Sequence, residues 1–449
     1  MFTEISMTNF KSWRDTGAVR MAPLTAFFGA NSSGKSSLLQ MLLLLKQTAE
    51  SNDRNLVLKT GSIQPGYVNL GTPHEITLRD ETKMSFGVSW DVQERYEFSI
   101  PVPNSDAQLS VTRLAFQTQI HAEKDRVYVQ SLEYRQDNEF VVKFRRAGNN
   151  RYLIRIYING VEPKRPQSRP RIYMNPEKCY GFSYEALSYY QDTFYLRNLE
   201  LLLESQLRRT YYLGPLREYP LRAYTWGGEK PTDVGLKGEL AVHALLAGTH
   251  PEVSSGGRRN RLQPRIARLL KDLGLARSFD VRPLFEGSNQ YAVWMKRKQT
   301  SPEVLIPDLG IGISQVLPVL VLCYYVPEGS TIILEQPELH LHPSVQAGLA
   351  EVIIDVIKNR NIQVIVESHS EHFLRRLQLL IAEQKINRDQ TALYFCEMES
   401  GWSNLMPLEV DLFGTIHNWP KDFFGDLTGD VIKIVKANRS RKSNSSNAS

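Results

Sequence analysis

The chain has 449 residues, 42% hydrophobic and 23% charged, a composition that excludes a disordered or fibrous protein and leaves length for two or three hydrophobic cores. Lys and Arg number 54 against 48 acidic residues, a net charge of +6, which permits nucleic-acid contact without demanding it. Cys179, Cys323 and Cys396 are far apart and form no Cys-x-x-Cys, so neither a disulfide framework nor a zinc site is indicated, and a reducing, cytoplasmic location is expected.

Met1-Phe-Thr-Glu-Ile lacks the basic-then-apolar order of a signal peptide. Ile5 to Ser12, which includes the triplet Asn9-Phe10-Lys11, alternates as a strand and then breaks, and a second strand is expected near Gly17 to Met21. Leu24-Thr-Ala-Phe-Phe28 reads as a strand, Gly29-Ala-Asn-Ser-Ser-Gly-Lys-Ser36 follows it, and the apolar run Leu38 to Leu45 opens a helix. Strand, glycine-bounded loop and helix in that order form a phosphate-binding loop (Walker A). Glycines let the backbone curl so that successive N–H groups face a polyphosphate, and the helix start adds a favourable dipole. Asn31, Ser32, Ser33, Gly34, Lys35, Ser36 and Ser37 are the candidate nucleotide contacts, with Lys35 on the β/γ-phosphates and the Ser36 hydroxyl on Mg²⁺. The bland alternative is a Gly/Ser-rich turn that happens to carry a lysine.

From Glu75 to about Gly160 short alternating runs recur between Gly, Asn and Asp turns, including Met84 to Trp90, Val127 to Val129, Phe140 to Phe144 and Tyr152 to Tyr157. They predict a β-rich lobe of hairpins. Around Tyr184 the period becomes helical and continues through Leu199 to Leu207. A loop rich in Pro, Gly and Arg is expected from Tyr212 to Arg222, then helices at Leu236 to Leu246 and Leu262 to Leu273. Arg145-Arg146, Lys164-Arg165 with Arg169 and Arg171, Arg208-Arg209, and Arg258-Arg259 with Arg261 and Arg265 are candidates for a phosphate-contacting surface, or simply solvated arginines. No heptad pattern is sustained, so long coiled-coil arms are not expected.

The last third has α/β texture. Val316 to Val326 is apolar but too short and proline-marked to span a bilayer, so no membrane role is expected. Thr331 to Leu334 reads as a buried strand, Val345 to Ile357 as a helix, Gln363 to Val366 as the next strand, Glu371 to Glu383 as a helix and Thr391 to Cys396 as a strand. Asn438 to Ser449 is a polar basic tail expected to be disordered. The expected fold class is α/β: a P-loop nucleotide-binding core split in sequence (1–75 and 301–437), with an inserted β-rich lobe (76–182), a helical accessory segment (183–300) and a tail (438–449).

Four features complete the candidate site. Ile332-Ile-Leu-Glu335 ends a buried strand in a carboxylate suited to Mg²⁺, and Gln336-Pro337-Glu338 and Leu339-His340-Leu341-His342-Pro343 follow it. Val364-Ile-Val-Glu-Ser-His369-Ser370 places a histidine where an imidazole can touch a γ-phosphate or the attacking water. Asp308-Leu-Gly310-Ile-Gly312-Ile-Ser314-Gln315 offers backbone N–H groups, a hydroxyl and a helix N-terminus to a phosphate. His340 and His342 stand two apart, which is not the spacing of a metal pair on one helix face; His369 as a mere strand cap, and Gly310 with Gly312 as a plain turn, are the bland readings.

The order Asn-Phe-Lys, Walker A, Gly-x-Gly-x-Ser-Gln, hydrophobic-Glu-x-Pro-Glu-x-His-x-His-Pro and Ser-His-Ser resembles the ABC-type ATPases of the RecF/SMC/OLD branch. Most of all it resembles stand-alone members, without coiled-coil arms or a Toprim domain, common in bacterial anti-phage and toxin-antitoxin operons. The resemblance covers roughly residues 1–75 and Tyr211 to Phe424, including Gly214-Pro-Leu-Arg217 and Asn418-Trp-Pro-Lys-Asp-Phe-Phe424. It implies ATP and Mg²⁺ as cofactors, a homodimer or higher oligomer in which Gly310, Gly312 and Ser314 reach the γ-phosphate of the opposite subunit, and an effector protein encoded nearby.

The chain departs from the family at Gln336, where members commonly carry a second acid. Glutamine can orient water but cannot take its proton, so slow hydrolysis is expected unless Glu338 or His369 substitutes, and Gln336, Glu338 and His369 are the candidate catalytic residues. Related stand-alone members share Glu-Gln-Pro-Glu. Three functions compete: an ATP-gated switch controlling an effector, a DNA-binding repair ATPase of RecF type, and a nuclease. The last is disfavoured, because Cys396-Glu397 is followed by no Asp-x-Asp of the kind a Toprim site needs.

Overall fold

In the computed structural model, residues 1–61, 66–79, 81–92, 97–98, 109–124, 126–136, 140–146, 154–164, 175–190, 193, 195–249, 262–420 and 423 are described. Six strands form the central sheet in the order Thr210–Leu213, Thr331–Glu335, Gln363–Glu367, Leu24–Gly29, Thr391–Glu399, Trp402–Pro407. The first five are parallel and the last is antiparallel. The strands carry no polar alternation because both faces are covered. Leu24, Ala26, Phe28, Ile332, Leu334, Val364 and Val366 enter one core, and Phe27, Ile333 and Ile365 enter the other.

Helices Ala241–Thr249, Leu262–Asp272, Ile311–Tyr325, Pro343–Arg360 and Glu371–Ala382 contribute to the first core. The helix after the Walker A loop, Lys35–Ala49, and helix Leu196–Arg208 contribute to the second. An eight-stranded antiparallel sheet supplies the rest of that second core. Its order is Ile154–Ile158, Phe140–Arg146, Arg126–Gln136, Arg113–Glu123, Lys83–Asp91, Phe2–Phe10, Trp13–Asp15, with Val19–Arg20 also paired to Phe2–Phe10. The lobe strands thus extend a sheet that the N-terminal strands begin. Leu38, Leu39 and Met41 through Leu45 are wholly buried because their helix is sandwiched between two sheets, each such side chain contributing about 1.5–3 kcal/mol of burial.

Several elements differ from the sequence expectation. Tyr212 and Leu213 belong to the buried edge strand of the parallel sheet, not to a loop; four residues buried on both faces and stopped by Gly-Pro leave no period to read. The helix expected from Leu236 begins at Ala241. Strands Ser278–Pro283 and Gln290–Lys296 pair with each other and with Tyr224–Thr225 and Val304–Leu305, strands that the sequence pattern did not signal. Arg165, Arg169, Arg171, Arg258, Arg259, Arg261 and the tail 438–449 lie outside the described residues. Among the described residues no helix is long and apolar enough to cross a membrane.

Candidate functional site

Strands Leu24–Gly29, Thr331–Glu335 and Gln363–Glu367 are adjacent and parallel, so residues 29–37, 335–338 and 367–370 all follow C-terminal ends at one edge of the sheet, the edge at which open α/β sheets bind ligands. The glycines that bound the loop are sterically required. A Cβ on Gly29 (φ +138) would lie 2.0 Å from the Cys396 carbonyl oxygen, and one on Gly34 (φ +92) 2.3 Å from Ser403 Oγ and 2.8 Å from Trp13 Nε1. Trp13 Nε1 donates to the Gly34 carbonyl at 3.0 Å, so the antiparallel sheet braces the loop. The helix starts at Lys35, whose Nζ donates to the carbonyls of Ala30 (2.6 Å) and Gly29 (3.2 Å). Burial lowers its pKa, while Glu367 and Glu338 oppose the shift. Asn31 and Ser32 are exposed, whereas Ser33 and Ser37 are buried.

Three buried carboxylates line the same edge. Glu335 and Glu367 stand at matching register on neighbouring strands, so both carboxyl groups lie at the same end of the sheet. Burial first, and then Glu367, push the Glu335 carboxyl up to about 7; burial likewise raises Glu367 and Glu338. Ser36 Oγ donates to Glu367 Oε1 at 3.0 Å, while Glu335 Oε1 accepts from the Tyr212 hydroxyl at 3.1 Å. The sequence reading paired Ser36 with Glu335; in the structure the hydroxyl meets the acid one strand nearer. Lys11 Nζ, bonded to Gln40 Oε1 at 2.5 Å, adds positive charge toward Glu335.

The turn after Glu335 is held from both sides. Gln336 adopts φ +44, uncommon for a residue with a side chain. Its N–H donates to the Glu367 carbonyl (2.8 Å) and its own carbonyl accepts from Arg217 Nη1 (2.9 Å). Glu338 is 7% exposed, and its Oε1 accepts from the His369 N–H at 2.6 Å. Burial, reinforced by Lys35, lowers the His369 pKa, while the Gly29 backbone opposes the shift. His369 therefore stands against the Walker A loop, with Gln336 and Glu338 on the adjacent turn. His342 caps helix Pro343–Arg360 through Ser344, and His340 is exposed at φ +61.

Gly310 is the N-cap of helix Ile311–Tyr325, so Gly312 and Ser314 lie in its first turn rather than before it. Ser314 Oγ donates to the Ile311 carbonyl at 2.6 Å. Pro318 four residues later removes the N–H that the Ser314 carbonyl would accept. This helix belongs to the core on the sheet face opposite that of the Walker A helix. Ser314 and the Walker A residues are thus on different faces of one chain. Of the arginine candidates, Arg146 is buried, stacked 4.5 Å over Tyr128 and bonded to Asn175; Arg208 pairs with Glu204, and Arg265 with Asp355.

The residues fit a divalent cation bound with a nucleotide. Ser36 offers a hydroxyl, Glu335 and Glu367 are crowded acids, and Glu367 Oε2 is buried without a hydrogen-bond partner. Among the described residues no cluster of three or more His, Cys, Asp or Glu is arranged to hold a metal alone, so phosphate oxygens and water would complete the shell, as Mg²⁺ favours. Sequence reasoning missed Glu367, Tyr212 and Arg217 as members of this site. Glu367 was signalled by its place at a strand end, two residues before His369; Tyr212 and Arg217 had no signal besides the Gly-Pro-Leu-Arg loop.

Sheet order and the loop after strand Leu24–Gly29 define a P-loop α/β core, and part of the chain matches a family model. Residues 237–375 match the family described as "AAA domain, putative AbiEii toxin, Type IV TA system", and residues 386–434 match a family of unknown function, DUF3696. Sequence comparison with curated proteins gives no match. Structural comparison returns, among others, an SMC head bound to the C-winged helix domain of ScpA (10% identity, covering 92% of this chain and 98% of that one, TM-score 0.47). It also returns the SMC head domain from Thermotoga maritima (11% identity, 91% and 99%, TM-score 0.39). A third is an Smc head domain with an extended coiled coil bound to the C-terminal domain of ScpA derived from Pyrococcus furiosus (10% identity, 98% and 99%, TM-score 0.45). Likeness at that level carries no argument about function.

Proposed function

We propose that the chain is an ATP-binding, slowly hydrolysing switch. ATP closes two copies head to tail, hydrolysis reopens them, and an effector protein, in an anti-phage setting, reads the state. The observation that carries this is the convergence of Lys35, Ser36, Glu335, Glu367, Glu338 and His369 at one sheet edge, with Gln336 where a general base is usual. Lys35 turns from the loop carbonyls to the β/γ-phosphates, and the loop N–H groups hold the remaining oxygens. Ser36 and the strand-end acids would hold Mg²⁺, which would supply positive charge against the phosphates. Gln336 orients the attacking water, Glu338 fixes the turn against residue 369, and His369 faces the γ-phosphate or that water. A glutamine in place of a carboxylate base makes proton removal the slow step.

Because Ser314 and the Walker A loop are on different faces, Gly310, Gly312 and Ser314 serve the nucleotide of a second copy. Light scattering with and without a non-hydrolysable ATP analogue tests this. Association that requires the analogue and disappears in Ser314→Arg supports it; association and turnover both unchanged in Ser314→Arg overturn it. The paired or stacked state of Arg146, Arg208 and Arg265 weighs against a DNA-binding repair role, and salt-sensitive DNA binding by the analogue-free chain would restore that reading.

A further inference from the structure

Two acids end neighbouring strands at the same register, and the protein compensates them differently. Glu335 has partners of its own: the Tyr212 hydroxyl at 3.1 Å, and the positive charges of Arg217 and Lys11. None of these belongs to the Walker A loop or to the turn that would meet a phosphate. Glu367 has Ser36 Oγ at 3.0 Å on one oxygen and the charge of Lys35 nearby, while its other oxygen is buried with no hydrogen-bond partner. Its partners are therefore the two groups that a nucleotide recruits. When Lys35 swings to the phosphates, Glu367 loses its positive neighbour, and a divalent cation bound beside Ser36 would replace that charge.

Position points the same way. Strand Gln363–Glu367 is hydrogen-bonded directly to the Walker A strand, with Glu367 opposite Phe27, whereas Thr331–Glu335 is one strand further off and borders the edge strand that carries Tyr212. Helix Lys35–Ala49 starts beside Glu367, which brings the Ser36 hydroxyl and this carboxylate together across 331 residues of sequence. The hydrogen bond between them matches what a hydroxyl and a carboxylate sharing one cation make before it arrives.

We propose that Glu367, with Ser36, is the protein's direct acidic contact to the divalent cation, and that Glu335 acts behind it as a positioning residue tied to Tyr212 and Arg217. The proposal rests on the nucleotide-binding reading above and assigns the metal within it. Glu367 ends its strand two residues before His369, so the cation and the imidazole would stand at the same end of that strand.

The test is direct Mn²⁺ binding, followed by electron paramagnetic resonance, in the presence of ADP or a non-hydrolysable ATP analogue. Nucleotide affinity in EDTA is measured separately by calorimetry. Glu367→Gln is expected to weaken Mn²⁺ binding at least 30-fold while changing metal-free nucleotide affinity less than about threefold; Glu335→Gln is expected to change Mn²⁺ affinity less than about threefold. Glu367→Asp, which keeps the charge but withdraws it, should give an intermediate loss and guards against a folding defect in the glutamine variant. A large Mn²⁺ loss in Glu335→Gln with none in Glu367→Gln or Glu367→Asp overturns the assignment. Failure of the wild-type chain to bind nucleotide at all would instead overturn the function proposed above, which keeps the two outcomes distinguishable.

Discussion

Replacing Arg217 should separate turnover from nucleotide binding. Arg217 is 6% exposed; Nη1 donates to the Gln336 carbonyl at 2.9 Å and Nη2 to the Glu335 carbonyl at 3.2 Å, while Nε is buried without a hydrogen-bond partner. Burial lowers its pKa to about 10, with Glu338 chief among the groups resisting, so it stays charged at neutral pH. Two charge-assisted bonds of about 1.5 kcal/mol each clamp the turn, against roughly 1–2 kcal/mol of backbone strain from Gln336 at φ +44. In Arg217→Ala the clamp is gone and the strain remains, so the working turn becomes a minority conformer. We expect kcat to fall about 30-fold, roughly 2 kcal/mol, with global stability lower by about 2 kcal/mol because two carbonyls lose their donor. KM for ATP should change less than about threefold, since Lys35 and the loop are untouched. Steady-state ATPase kinetics with urea unfolding of the same preparations measure both, and Arg217→Lys should recover part of kcat. A variant destabilised as expected but with kcat within threefold of wild type would refute the clamp, as would KM rising in step with the loss of kcat.

Lys35→Ala should abolish ATP binding by calorimetry while the far-UV spectrum is unchanged; retained affinity would sink the Walker A assignment. Gln336→Glu should raise turnover if a general base is what the site lacks, and Glu338→Gln should lower it by loosening the bond to the His369 N–H. If Gln336→Glu changes nothing while Glu338→Gln eliminates hydrolysis, Glu338 is the working carboxylate. Glu200 supplies a pH test away from the site: burial, outweighing the Phe182 N–H at 2.7 Å and Arg197 at 3.1 Å, raises its pKa to about 8. Its folded value lies above the unfolded one near 4.5, so the stability it carries is fully present below about pH 4.5 and is lost as pH rises through about 8. The loss is roughly 3–5 kcal/mol at most. Glu200→Gln should flatten that dependence in urea titrations between pH 5 and 8; a slope identical to wild type would show that Glu200 titrates normally.

What the chain determined by itself were the local patterns whose physics is local. The Walker A loop is legible because a backbone curled around phosphate tolerates only glycine at Gly29 and Gly34, where any Cβ would strike Cys396 or Ser403 and Trp13. The buried strands ending at Glu335 and Glu367, the apolar helix Lys35–Ala49 and the alternating strand Arg126–Gln136, expected in part from Val127 to Val129, announce themselves by run length or period. The strand Thr210–Leu213 could not be read, since its burial on both faces is a property of its neighbours. Only the tertiary structure decided which acid faces Ser36. Glu335 and Glu367 are equivalent in sequence as carboxylates closing apolar strands, and strand order alone puts Glu367 beside the Walker A strand. The same holds for Arg217 and Tyr212, brought to the Glu335–Glu338 turn by contacts more than a hundred residues apart in sequence. Charge compensation of a buried acid is a long-range requirement, met by whichever element the fold delivers, and no spacing in the chain records it.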